Sequence, residues 1–449
     1  MASTHIPLSL FLTLLLLFIS SSTAQPVKRR ALLPVTKDAA TKQYVTLINQ
    51  RTPLVPIKLT VDLGGRFIWV DCQNGYVSST LTPLICDTLL CRLSHSGACD
   101  GNCTGSSPGH PNKDCTCSHL AYNPVSRTST GTRLNEDVIT IQDTDGLKPG
   151  PYLKPSKVVF GCADTSLLKG LAKGVKGIAG FGNGYVAIPN QLIFRFSRPR
   201  KIGLCLSSST NSPGVIFIGE GPYVLLPNID VSKNLLYTPL LTNPISTAGS
   251  SFGGEPSTDY FIGVKSIKVN GDLVPINNLL LEINEENGQG GTKISTIDPH
   301  TKLESSIYKA LVKAFVHSLT IPRVKKVAPF EMCYKSSSLP STRVGPGVPN
   351  IEFVLQGKNG ETPSFIISGA NSMVAVTDEV LCLGFVNGGE NPTTSIVIGG
   401  HQIEDNLVQI DIDNKRVGFS NSLLFQQTTC ANFNFGSTQG QDVGGREIV

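Results

Sequence analysis

Twelve cysteines constrain the fold of this 449-residue chain more than any other feature of its sequence. Seven of them lie between Cys72 and Cys117, with close spacings such as Cys99-x-x-x-Cys103. An even number of cysteines in a chain exported to an oxidising compartment predicts disulfide bonds, here six. A zinc site is the alternative. No suitably spaced histidine accompanies the cluster, so we expect neither a metal nor any other cofactor.

The N-terminus supplies the evidence for export. An apolar run from Ile6 to Ile19 precedes Ser22-Thr23-Ala24, a small-x-small cleavage site, so residues 1–24 are predicted to be a signal peptide. A membrane anchor is the alternative, but the run is shorter than the about 20 residues that a span needs, and no later segment is apolar enough. We therefore expect a secreted, extracellular protein, glycosylated at Asn102 in an Asn-Cys-Thr sequon.

The charge pattern excludes one class of partner. The formal net charge is +5, and only 16% of the residues are charged. The longest run of Lys and Arg is the three residues from Lys28 to Arg30, so a nucleic-acid-binding protein is not expected. A mild positive excess instead favours encounter with acidic partners outside the cell.

Short β-branched and apolar runs, interrupted by Gly, Pro and Asn, predict an all-β protein. Helical periodicity is rare: Ser305 to His317 is the clearest case, and Gln191 to Arg195 is a shorter one. The chain is too long for one ordinary core, so two lobes are expected. The polar, Gly-rich segment 436–449 is predicted to be a flexible tail.

Two segments resemble the paired active-site turns of pepsin-like aspartic proteases. Val61-Asp62-Leu63-Gly64-Gly65 is similar to the Asp-Thr/Ser-Gly turn of the N-terminal lobe, and Ile294-Ser295-Thr296 lies where the second turn is expected. Each is followed by a hydrophobic-hydrophobic-Gly segment, at 177–182 and at 396–400. The resemblance implies a bilobal pepsin-like fold with few short helices. Its lobes would span residues 41–205 and 215–425 and would meet at a cleft containing Asp62 and Ser295.

Further stretches are similar to a narrower plant group. That group comprises extracellular dermal glycoproteins, xyloglucan-specific endoglucanase inhibitors, wheat-type xylanase inhibitors and basic 7S globulins. Ile294–Tyr308, Ser368–Met373, Ile398–Gln402 and Glu404–Val408 carry the likeness to this group, whereas Phe160–Ala163, Tyr237–Leu241, Tyr260–Val264 and Asp411–Phe419 resemble plant aspartic proteases more generally. The similarity runs from about Thr41 to Phe435, which is nearly the whole mature chain.

The resemblance implies that the chain is not a protease. An aspartic protease needs two carboxylates that share a proton, and Ser295 stands where the second aspartate is expected. Asp298 is an alternative, but its use requires deleting three residues before Tyr308 and places Pro299 and His300 in the turn. Asp62 and Ser295 are therefore interpreted as remnant positions. Leu63 replaces the hydroxyl residue that would tie the lobes together.

The same resemblance implies three disulfide bonds: Cys72–Cys162, Cys205–Cys430 and Cys333–Cys382. The pairing within the remaining six cysteines cannot be deduced from the sequence and stays open.

The relatives imply a partner and two contact loops. The expected function is inhibition of microbial endoglucanases or xylanases in plant defence, in the apoplast or cell wall, by a monomer. The first loop follows the predicted helix and carries Arg323, Lys325 and Lys326; an exposed basic turn with no such role is the alternative. The second loop runs from Asn387 to Thr394 and includes Asn391 and Thr393. At the position of Thr393, endoglucanase inhibitors that resemble this chain carry arginine. Two other functions remain open: a storage or peptide-hormone-binding globulin of the 7S type, and a residual aspartic endopeptidase.

Overall fold

The computed structural model describes residues 30–193, 199–249 and 254–436. The predicted signal peptide and the tail beyond Gly436 lie outside the described residues. Fourteen strands form the first lobe: β1 (Ala31–Lys37), β2 (Tyr44–Gln50), β3 (Val55–Asp62), β4 (Ile68–Asp71), β5 (Thr82–Pro83), β6 (Ala98–Gly101), β7 (Cys115–Asn123), β8 (Thr128–Thr140), β9 (Gln142–Thr144), β10 (Pro149–Tyr152), β11 (Ser156–Ala163), β12 (Gly177–Gly180), β13 (Lys201–Cys205) and β14 (Gly214–Ile218).

The second lobe is also built from strands, many of them short. They are β15 (Val224–Leu225), β16 (Ile229–Asp230), β17 (Leu236–Leu241), β18 (Tyr260–Ile262), β19 (Val264–Val269), β20 (Asp272–Leu273), β21 (Thr292–Ile294), β22 (Thr301–Leu303), β23 (Arg323–Val324), β24 (Cys333–Lys335), β25 (Ser341–Thr342), β26 (Gly345–Pro346), β27 (Ile351–Leu355), β28 (Ser364–Ile367), β29 (Met373–Thr377), β30 (Val380–Leu383), β31 (Phe385–Asn387), β32 (Ile396–Ile398), β33 (Leu407–Asp411) and β34 (Arg416–Phe419).

The described α-helices are few and short: α1 (Leu89–Leu93), α2 (Ile188–Ile193), α3 (Ser305–Ser318), α4 (Gly369–Ser372) and α5 (Gly400–Ile403). Glu304 caps α3, because its carboxylate accepts hydrogen bonds from two first-turn amides. The apolar stripe of α3 is buried, as its periodicity predicted. The all-β, pepsin-like fold class is confirmed.

One six-stranded sheet joins the two lobes. Its strands pair in the order β1–β14–β13–β33–β34–β17. The central pairing sets Ile202 against Ile410 and Leu204 against Val408, and all four of these side chains are buried. The sheet begins with β1, which precedes the predicted start of the first lobe at residue 41. Four of the seven residues of β1 are buried and the strand pairs with β14, so residues before that boundary also contribute to the core.

Each lobe repeats one local arrangement, as the internal repeat predicted. β3, which ends at Asp62, pairs in parallel with β12, and β21, which ends just before Ser295, pairs in parallel with β32. Gly180 and Gly399 each lie where another backbone segment approaches closely: the one at Gly65 and Phe67 for Gly180, and the one at Asp298 and His300 for Gly399. A Cβ at Gly180 would lie 2.4 Å from the carbonyl oxygen of Phe67, so only glycine fits there.

All twelve cysteines form disulfides in the structure. The pairs implied by the resemblance are present: Cys72–Cys162, Cys205–Cys430 and Cys333–Cys382. The six cysteines that the sequence left open pair as Cys86–Cys99, Cys91–Cys117 and Cys103–Cys115. Their cluster fastens α1 and the loop before β7 onto the first lobe, and it leaves Asn102 exposed.

Candidate functional site

The two active-site-like turns meet at the lobe interface. The side chain of Thr296 connects them: its hydroxyl donates to the carbonyl oxygen of Val61 at 2.7 Å and accepts from the amide of Leu63 at 3.2 Å. Leu63 itself is fully buried. The second turn therefore provides a cross-lobe hydroxyl contact, and the first turn contributes backbone groups where the family pattern has a second hydroxyl.

Asp62 lies at the floor of a cleft between the lobes. The cavity has a volume of about 540 Å³, and Asp62, Ser295, Asp298 and Thr393 are among the residues that line it. The amide of Gly64 donates to Oδ1 of Asp62 at 2.9 Å. This places a partly exposed carboxyl group at the base of the cleft.

The environment of Asp62 favours its protonated form. Burial raises the pKa of this carboxyl to about 7, and the negative charge of Asp259 adds to the effect. The amide of Gly64 and the charge of Lys293 oppose the shift without cancelling it. Below neutral pH, Asp62 is therefore a neutral carboxylic acid that can donate a hydrogen bond into the cleft.

Ser295 lies on the second-lobe side of the same cleft, and its hydroxyl is fully engaged. It donates to Oδ2 of Asp298 at 3.0 Å and accepts from the amides of Ile297 and Asp298. Asp298 also forms an ion pair with Lys302 at 2.5 Å. Asp298 thus lines the cleft, as a displaced catalytic aspartate would, but it is held by a lysine and a serine.

Sequence reasoning missed two charged pairs of the cleft. Lys293 forms an ion pair with Asp259 at 3.0 Å, and Arg66 pairs with Glu255 of the other lobe at 2.6 Å. Burial alone would lower the pKa of Lys293, but Asp259 and the other nearby carboxylates raise it. Neither pair belongs to a recognisable motif. The available signal was the alternation of β21, in which a lysine stands between two buried residues.

The two predicted contact loops have different surroundings. Asn391 and Thr393 line the cleft, and the carbonyl oxygen of Thr393 accepts from the amide of Gly290 at 3.1 Å. Arg323 begins the exposed strand β23, where its guanidinium contacts Sδ of Met332 at 3.6 Å.

The two lysines that follow, Lys325 and Lys326, are exposed as well. The structure therefore brings the second loop together with Asp62 and Ser295, and Arg323, Lys325 and Lys326 are not among the residues that line this cleft.

No helix in the three described ranges is long and apolar enough to span a membrane.

Residues 44–220 match the family described as "Xylanase inhibitor N-terminal", and residues 259–421 match the family described as "Xylanase inhibitor C-terminal".

Individual relatives agree with these matches. "Probable aspartic proteinase GIP2" of Nicotiana benthamiana is 52% identical over 94% of this chain and 96% of its own length. "Gamma conglutin 1" of Prunus dulcis is 41% identical, over 97% of each chain. "Basic 7S globulin" of Glycine max is 34% identical, over 96% of this chain and 98% of its own.

Solved structures give the same result. The chain is similar to a crystal structure of "edgp", with a TM-score of 0.85 and 53% identity over 91% of this chain and 98% of that one. It is also similar to soybean basic 7S globulin, with a TM-score of 0.75 and 32% identity over 91% and 99% of the two chains. The protein therefore belongs to the xylanase-inhibitor-like family of aspartic-protease homologues, which also contains the basic 7S globulins and gamma conglutins.

Proposed function

We propose that this protein is a secreted, proteolytically inactive aspartic-protease homologue that binds and inhibits microbial cell-wall-degrading glycoside hydrolases in plant defence. The observation that carries the proposal is the match of residues 259–421 to the xylanase-inhibitor C-terminal family, because that range contains both predicted contact loops. The targets are endoglucanases or xylanases encountered in the apoplast, and the inhibitor acts as a monomer.

The chemistry of the cleft supports inactivity as a protease. If Ser295 replaces the second aspartate, no second carboxyl is available to share a proton with Asp62. Asp298 is engaged by Lys302 and by the Ser295 hydroxyl, so its charge is already compensated. We expect no cleavage of unfolded protein substrates at acidic pH and no retention on immobilised pepstatin. A pepstatin-sensitive activity that disappears in Asp298→Ala would overturn this part of the proposal.

The first contact loop supplies the cationic group. Arg323 is exposed on a two-residue edge strand, and its ladder pairing with Tyr334 holds the loop against the body of the lobe. Glycoside hydrolases present two carboxylates roughly 5–9 Å apart in an open cleft. A guanidinium that enters such a cleft would be strongly attracted there, because water is displaced as it binds.

To test this proposal, the protein is immobilised and fungal and oomycete culture filtrates are passed over it. Bound enzymes are then assayed on xyloglucan and on xylan. Arg323→Ala should weaken binding of the captured hydrolase by about 2–5 kcal/mol, the range for truncating one member of a buried charge pair. Arg343→Ala is the matched control, because Arg343 is an exposed turn arginine of the same lobe. Equal binding by both variants would exclude Arg323 as the inserted group.

A second candidate function is storage or peptide-hormone binding of the basic 7S type. It is favoured by the full-length similarity to basic 7S globulin and to the gamma conglutins. Such a protein would bind a small peptide without blocking a hydrolase cleft. Retention of peptides from a plant extract, together with no hydrolase from the microbial filtrates, would favour this function over inhibition. The third candidate function is that of a residual aspartic endopeptidase. It is tested by the assays for cleavage at acidic pH and for retention on immobilised pepstatin.

A further inference from the structure

The mouth of the cleft carries an arginine from the first lobe. Arg127 lies in the turn between β7 and β8, and it lines the same cavity as Asn391 and Thr393 of the second contact loop. The two elements belong to different lobes, so the cavity lies between them. Any protein that docks on residues 391–393 and extends over this cavity therefore meets Arg127.

The charge of Arg127 is available for such a partner. Three other cations line the cavity, namely Arg66, Lys293 and Lys302, and each forms an ion pair with a carboxylate. Arg127 is exposed, and it forms no ion pair with the carboxylates in the described parts of the chain. Among the cations lining this cavity, it is the one whose charge is not already compensated.

The turn that carries Arg127 is built rigidly. The buried side chain of Asn123 donates to the carbonyl oxygens of Leu167 and Lys169, at 2.7 and 2.9 Å, and accepts from the amides of Val125 and Ser126. Arg127 itself has a φ of 56°, in the left-handed region. A preorganised turn loses little conformational freedom when a partner binds it.

From these observations, and resting on the proposed inhibitory function, we infer that Arg127 is a specificity-determining contact for an acidic partner surface. Thr393, on the second-lobe side of the mouth, carries no charge. Arg127 supplies a cation to the same mouth from the first lobe. The partner is a glycoside hydrolase, and the groups that Arg127 faces are carboxylates at the rim of the hydrolase cleft. Arg323 would then be the inserted group and Arg127 a contact at the edge of the interface.

The test measures binding kinetics of purified fungal xyloglucan-active endoglucanase and purified fungal xylanase to the full-length protein at several salt concentrations. Arg127→Asn removes the charge while keeping a residue that tolerates left-handed backbone, so folding should be retained, and a thermal melt checks this. Arg127→Lys keeps the charge. Arg343→Asn repeats the change at an exposed arginine that does not line the cavity.

The expected result is that Arg127→Asn weakens binding at least about tenfold, largely through slower association and a smaller dependence on salt. Arg127→Lys should recover much of this loss, and Arg343→Asn should match the unmodified protein. Changing a rim carboxylate of the hydrolase to its amide should also reduce the effect of Arg127→Asn.

Two outcomes would overturn the inference, and they are distinguishable. If a hydrolase binds the unmodified protein, but Arg127→Asn and Arg343→Asn bind it equally well, Arg127 is not a contact and the proposed inhibitory function stands. If neither hydrolase binds the unmodified protein, the inference fails together with the inhibition of these enzymes.

Discussion

Asp62 shows how a single residue retains part of a protease's chemistry. Its half-buried carboxyl accepts a hydrogen bond from the amide of Gly64, and it lies on the cleft floor. Its pKa of about 7 results from burial and from the neighbouring charge of Asp259. Asp259, however, is paired with Lys293, so it differs from the partner of a proton-sharing dyad. Asp62 is therefore a carboxyl with a raised pKa whose acidic neighbour Asp259 is already paired with a lysine.

The raised pKa of Asp62 predicts a specific pH dependence of stability. The native state holds this proton up to about pH 7, whereas an unfolded aspartate releases it near about pH 3.9. The protein therefore loses stability through this group as the pH rises from about 4 to about 7. Asp62→Asn cannot ionise. The variant should gain stability relative to the unmodified protein between pH 5 and pH 8.

Chemical denaturation at both pH values measures this difference in the free energy of unfolding. Asp272→Asn is the control, since Asp272 is an exposed aspartate on β20. An Asp62→Asn curve that stays parallel to the unmodified protein over this interval would show that Asp62 is ionised in the folded protein already at pH 5.

At the scale of elements, sequence motifs located much of the site. The turn at Asp62, the helix α3 and the order of the two repeats all followed from local patterns. The positions of Asp259 and Lys293 in the site did not follow from local patterns, because these residues come together only once β18 and β21 have paired. Their register sets Phe261 opposite Lys293 and so brings Lys293 to Asp259, 34 residues away. A tertiary contact of this kind leaves no local pattern.

The pairing within the six clustered cysteines escaped prediction for the same reason. Cys99 lies directly opposite Cys117 in the β6–β7 ladder, yet each is bonded to a different cysteine. The bonded partners, Cys86 and Cys91, lie on the segment that α1 brings over these strands. Only the three-dimensional path of that segment selects one pairing from the several that the spacing permits.

The loop that carries Thr393 offers a test of gained function. Thr393 is exposed and lines the cleft, and the fold uses its carbonyl oxygen, which the amide of Gly290 binds. A change of its side chain should therefore leave the loop conformation intact. Thr393→Arg would add a second cation to the mouth beside Arg127. We expect it to restore or broaden inhibition of xyloglucan-active endoglucanases.

Inhibition constants on xyloglucan measure this gain. Thr377→Arg is the matched control, because Thr377 is an exposed threonine of β29 that does not line the cleft. An equal gain in the two variants would attribute the effect to net charge and not to the position of the loop.

At the scale of the whole molecule, a buried charge network reinforces the sheet that joins the lobes. Glu404 of the second lobe is 1% exposed and lies 2.6 Å from Nζ of Lys37 in the first lobe. It also accepts a hydrogen bond from the hydroxyl of Tyr44 at 2.6 Å and contacts His401 of its own lobe at 3.2 Å. Burial by itself would raise the pKa of Glu404, but His401 and Lys37 lower it, so this carboxylate is ionised in the native protein.

Removing one donor from this network should destabilise the whole fold, because the charge of Glu404 stays buried with fewer partners. Tyr44→Phe deletes only a hydroxyl, and a hydrogen bond to a charged group contributes about 1.5–3 kcal/mol. The control, Tyr223→Phe, deletes a buried hydroxyl whose partners are neutral, since it donates at 2.6 Å to the carbonyl of Gly219 and also hydrogen-bonds the side chain of Gln409, and about 1 kcal/mol is expected for it. Denaturant unfolding at pH 7 compares the two losses in the free energy of unfolding. If Tyr44→Phe costs no more than Tyr223→Phe, the hydrogen bond from Tyr44 gains nothing from the charge of Glu404 and stabilises the fold only as a neutral hydrogen bond would.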